Sequence, residues 1–112
     1  PTQPQRKFNL TVGSLSVDGL EARDLKCDLS ETTLFSSMVV VGGLAKQKDA
    51  LNACAAGTAH SPRASLTFQA GKATQVKVSG VPEPVSRCVQ QALTKVQIAA
   101  NGYCEVTLPI GP

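Results

Sequence analysis

Four cysteines (Cys27, Cys54, Cys88 and Cys104) and a single histidine, His60, have the most direct claim to chemistry in this 112-residue chain. Thiolates bind zinc, attack electrophiles or join as disulfides, and spacing separates the three. Zinc ligands come in close pairs, because one tight turn must present two sulfurs to one ion. Here successive cysteines lie 27, 34 and 16 residues apart, on four separate segments, so no metal site is expected. A nucleophilic thiolate needs a base or a cationic neighbour and an exposed edge. His60 is remote in sequence from every cysteine and lies beside Pro62, which reads as an exposed loop.

An even count, with each cysteine on the inward face of its own element, points to two disulfides. Disulfides persist in oxidising compartments, so an extracytoplasmic location follows as an expectation. Four cysteines allow three connectivities. Cys54 and Cys88 fall on the inner stripes of two predicted helices, which makes Cys54–Cys88 the natural helix-to-helix pair and leaves Cys27–Cys104 between strands. In the chain-entropy picture each bridge adds roughly 3–4 kcal/mol. That is a large share of stability for a core with few aromatics: only Phe8, Phe35, Phe68 and Tyr103 are present, with no tryptophan.

Other patterns carry less. "GKAT" at 71–74 lacks the earlier glycine and the Ser/Thr directly after lysine that a phosphate loop needs, and it joins strand to strand. "NLT" at 9–11 is a glycosylation triplet, but it falls on a predicted strand. Five of the eight acids (Asp18, Glu21, Asp24, Asp28 and Glu31) cluster early and read as a solvated strand face or, second, as a docking surface for a basic partner. They show no convergence into an acid–base pair. The eleven Lys and Arg are scattered, and no run of them interleaves with aromatics, so no nucleic-acid partner is expected. We find no catalytic residues, no cofactor-binding residues and no metal ligands, and expect a protein that is not an enzyme.

The elements that position the cysteines follow from periodicity. Leu10, Val12, Leu15, Val17 and Leu20, then Leu25, Cys27 and Leu29, alternate as a strand pair turning at "VDGL", with a slip near Gly13 that suggests a bulge or turn. Leu34, Met38, Val41, Leu44, Leu51, Cys54 and Ala55 fit one helical stripe ending at Gly57. Residues 44–56 hold the firmer part of that pattern, while "MVVVGG" (38–43) reads as either strand or broken helix start. Ala64, Leu66, Phe68 and Ala70 share a strand face, "AGK" turns, and Val76 and Val78 line the return strand. Pro84 opens a second helix with Val85, Cys88, Val89, Ala92, Leu93 and Val96 on one stripe. Cys104, Val106, Leu108 and Ile110 face one way on a last strand, where Pro109 suggests a sheet edge or the strand's end.

The order ββ-α-β-β-α-β gives an α+β fold: a mainly antiparallel sheet with two helices packed on one face, stapled by disulfides. "PTQPQRK" resembles the end of a linker, so residues 1–7 are set apart from a single domain over 8–112. No stretch is long and apolar enough to span a bilayer, and the chain start does not read as a signal peptide. We therefore expect membrane attachment only through a tether outside residues 1–112.

From about residue 44 to 110, the run "HSPRASLTFQAGKATQVKVSGVPEPVSRCVQQAL" resembles the carboxy-terminal domain of TonB and its relatives. Ser61-Pro62 stands at the junction after the first helix and Gly71 at the hairpin turn. The chain is closer to a cysteine-containing variant in envelope and gliding-motility proteins of Gram-negative bacteria, in which one cysteine ends the first helix and another opens the second, as Cys54 and Cys88 do. The junction tyrosine of the family is Ser61 here. The front hairpin 8–29 and the pair Cys27/Cys104 lie outside the family pattern. The resemblance implies a non-enzymatic periplasmic interaction module, linked to energy or force transduction or to gliding motility. It would contact a protein partner in the periplasm or outer membrane, by adding a strand at an exposed sheet edge. The alternative from composition alone is a small secreted disulfide-bonded inhibitor or ligand-binding domain. An enzyme using His60 or a cysteine is a third reading.

Overall fold

The computed structural model describes residues 8–111; the segment 1–7, read above as a linker, and Pro112 lie outside the described residues. The fold is α+β. Strands β1 (Leu10–Val17), β2 (Leu20–Leu29), β3 (Arg63–Gln69), β4 (Lys72–Ser79) and β5 (Gly102–Thr107) accompany helices α1 (Ser36–Ala45), α2 (Lys48–Cys54) and α3 (Glu83–Leu93). The five strands form one antiparallel sheet in the order β1-β2-β5-β3-β4. The last strand in sequence is therefore central. Among the described residues it is the strand through which the two hairpins pair into one sheet, and Pro109 does not mark a sheet edge. β5 ends at Thr107, and pairing then skips the proline: Leu108 N–H donates to Pro62 O at 3.0 Å and Ile110 N–H to His60 O at 2.8 Å. A residue without an N–H fits where alternate residues turn away from the ladder.

Both hairpins use two-residue turns in which both residues have positive φ: Asp18 (50°) with Gly19 (86°), and Ala70 (52°) with Gly71 (80°). Turns of that hand match the right-handed twist of the strands they join. Ala70 is exposed in its turn and does not extend the buried face of Ala64, Leu66 and Phe68. The slip near Gly13 is real, but it leaves no register shift between β1 and β2. Both strands change phase together, at Gly13–Ser14 and opposite at Arg23–Asp24, where Asp24 has φ 51°. The irregularity surfaces one strand further in, between β2 and β5.

One face of the sheet carries the core. Leu20, Ala22, Leu25, Cys27 and Leu29 of β2, Ala64, Leu66 and Phe68 of β3, and Cys104 and Val106 of β5 are all buried against the helices. The first predicted helix is split in two, so residues 44–56 do not form one helix. Leu44 and Ala45 close α1, a tight turn follows in which Gln47 N–H donates to Leu44 O, and α2 begins at Lys48. The break has a tertiary reason. α1 packs on β1 and β2 while α2 packs on α3, and a straight helix cannot do both. "MVVVGG" is helical: that geometry buries Val40, Val41 and Leu44 together. Gly43 admits the Ile98 methyl into the helix surface, in space that a Cβ would occupy.

Candidate interaction surface

Both disulfides are formed, as Cys27–Cys104 and Cys54–Cys88. Cys27 and Cys104 stand directly opposite on β2 and β5, with Cα atoms 4.1 Å apart, close to the spacing of non-hydrogen-bonded antiparallel pairs. Cys54 ends α2 and meets Cys88 in α3. No described cysteine is free, so His60 has no thiol to activate. The His60 backbone instead pairs with Ile110. Among the described residues no group of His, Cys, Asp and Glu is placed to hold a metal. "GKAT" is part of a hairpin turn and its return strand. The Asn9 amide clamps the end of β2, donating to Leu29 O at 2.6 Å and accepting from Leu29 N–H at 3.0 Å.

The sheet face away from the helices is polar. Glu105 accepts from Tyr103 Oη at 2.9 Å and pairs with Arg63 at 3.1 Å, so its charge is balanced within that surface. At one end of this face, Glu21 accepts from Arg23 at 3.0 Å, and the guanidinium holds the Glu21 carboxyl below the usual carboxylate range. The early acids do not converge: Asp18 sits in the turn, Asp24 at the phase change, and Glu21 is paired with Arg23. None of these groups is a buried polar atom without a partner.

The two edges of the sheet are treated differently. Along β4, Gln90 of α3 donates to Val76 O at 3.0 Å and Ser86 to Val78 O at 3.2 Å. The chain after α3 continues the cover, with Ala73 N–H on Val96 O and a bridge between Lys72 and Gln97. Along β1, nothing among the described residues pairs with the outer edge. The strand reads LTVGSLSV, without the lysine, proline or inward charge that edge strands use to discourage pairing. Its inward side chains Leu10, Val12, Leu15 and Val17 are only half-buried.

The segment 34–39 leaves large apolar side chains uncovered. Leu34 is 95% exposed, Phe35 65%, Met38 53% and Val39 42%, and these are the exposed large hydrophobic residues among those described. Helical spacing places Leu34 and Met38 on the core stripe; the structure puts them in solvent. A usable signal was present. Val39, Val40 and Val41 are consecutive and the chain is uncharged from Thr32 to Ala45, so a helix here is apolar all round and one side must stay uncovered. Met38 is on the side of α1 that faces the open edge, because Gly42, one turn later on the same side, has Val17 of β1 within 3.8 Å of where its Cβ would sit. The open edge and the Met38 flank thus adjoin, while Val39 lies on the other flank of α1, beside Leu29, Ala99 and Ala100. Compared with known proteins, the chain matches no protein-family model, no curated sequence and no solved structure.

Proposed function

We propose that this chain is a non-enzymatic protein-interaction module that docks its partner along β1. The observation that carries the reading is the unpaired, uncharged β1 edge beside the exposed Met38 flank of α1, with Leu34, Phe35 and Val39 also exposed on the same short segment. A strand added to that edge gains main-chain hydrogen bonds, and the flanking apolar side chains supply pockets for alternate residues. Large apolar side chains left exposed together on one short segment of a folded domain mark an interaction site. The two disulfides belong to an oxidising, non-cytoplasmic compartment. The finer placement, a periplasmic module of a Gram-negative envelope machine with TonB-like or gliding-motility work, rests on the sequence resemblance.

The test is site-specific photo-crosslinking in the native host, with a photoreactive residue at Phe35 and, as control, at Thr74 on the opposite edge. A discrete adduct at Phe35 and none at Thr74 supports the docking surface. Equal labelling at both, or none, removes it. Protein from the same cells, denatured and assayed for thiols, should show none; four free thiols would refute the extracytoplasmic placement.

A further inference from the structure

Along β1, burial runs half-buried, exposed, half-buried, exposed, then exposed, half-buried, exposed, half-buried. The string is the same read in either direction. So is the chemistry: Leu10 matches Val17, Thr11 matches Ser16, Val12 matches Leu15 and Gly13 matches Ser14. Residues directly opposite in an antiparallel pair point to the same face. A strictly alternating strand cannot pair with a copy of itself about a point between two residues, because each inward side chain would face an outward one. The phase change at Gly13–Ser14 removes that obstacle. The pairing with β2 shows that the geometry is attainable, because β2 changes phase opposite the same point without a shift of register.

We infer that the partner at this edge is a second copy of the chain, paired β1 to β1 about a twofold axis between Gly13 and Ser14; this rests on the docking reading above. The pairs are then Leu10 with Val17, Val12 with Leu15, Thr11 with Ser16 and Gly13 with Ser14 of the other copy, giving a ten-stranded sheet. An interface closed by a twofold is self-complementary, which the palindromic edge satisfies. No charged residue of β1 meets its own copy across the axis. The same axis sets both α1 helices on one side of the joined sheet, with the Met38 flanks turned toward each other, so Met38 and the open edge are covered by one event.

One strand edge and a helix flank form an interface at the small end of the range, so dissociation on the order of micromolar concentration is expected. The experiment is sedimentation equilibrium of the wild-type chain and of two variants, Ser14→Lys and Ser14→Glu, separately and mixed. Ser14 is exposed on the polar face, so neither variant disturbs the core. The wild type should show a concentration-dependent dimer. Each variant alone should weaken dimerisation at least about tenfold by facing like charges across the axis, and the mixture should restore it as a heterodimer. A wild type that stays monomeric, variants that dimerise normally, or a mixture that fails to recover would each overturn the inference. A monomer that still forms the Phe35 adduct with a different protein would leave the docking surface standing and refute only the second copy. A monomer with no Phe35 adduct would refute both.

Discussion

β1–β2 and β3–β4 follow one plan: each turns on two residues of positive φ and lends one strand to the central β5. They differ in what covers the outer strand. α3 follows β4 directly, and its Ser86 and Gln90 take up carbonyls of that strand. α1 lies over the front hairpin, but Ser36 and Ser37 are its only polar side chains, and it leaves β1 half-covered. The lesson is that an edge is closed by a helix only when that helix brings hydrogen-bonding side chains to it. Apolar cover alone leaves the strand able to pair.

The contrast breaks first at the bridges. Cys27–Cys104 holds the front hairpin to β5, and Cys54–Cys88 holds α2 to α3. Replacing either pair with alanine should cost roughly 4 kcal/mol, slightly more for the longer loop, read from denaturant unfolding. Cys27 (0% exposed) and Cys104 (1%) are sealed, whereas Cys88 is half-buried. Mild reductant should therefore open Cys54–Cys88 first, followed by mass mapping of trapped thiols. Opening in the reverse order would mean that the front hairpin, not the helix pair, is the looser region.

Packing gives the next largest difference. Leu66→Ala in buried β3 should cost about 3 kcal/mol, and Leu15→Ala on the half-covered β1 about 1 kcal/mol. Equal losses would show that β1 is covered in solution. Gln90→Ala should cost about 1 kcal/mol by freeing Val76 O, and should raise amide exchange along β4 toward the rates seen in β1. In the turns, Ala70→Gly should stabilise the back hairpin by about 0.5–1 kcal/mol, because alanine at φ 52° is strained, whereas the front turn already has Asp18, a residue type that tolerates that region.

The smallest effect concerns pH. The folded-state carboxyl of Glu21 is lowered chiefly by its hydrogen bond from Arg23. Its contribution is present above the unfolded carboxylate pKa and fades as pH falls through the lowered folded value. In this exposed pair the thermal midpoint should change only slightly over that window, and Glu21→Gln should remove that change.

Much of this architecture was legible in the residues. Period-two alternation located the four hairpin strands, and the stripe of Val85, Val89, Ala92 and Leu93 located α3. The inward position of each cysteine pointed to the two bridges that the structure contains. These are local signals, set by backbone geometry and by which side chains avoid water, and the chain carries them by itself. The candidate surface was not legible in the same way. Leu34 and Met38 keep helical spacing with the core residues, and spacing cannot tell which flank of an all-apolar helix has a neighbour. Only the tertiary structure decides that α1 breaks before Lys48, that β5 is central, and that β4 is capped while β1 is open. Each of these depends on pairing between segments far apart in the chain, where hydrogen bonds and buried area are shared with a partner that the local sequence does not name.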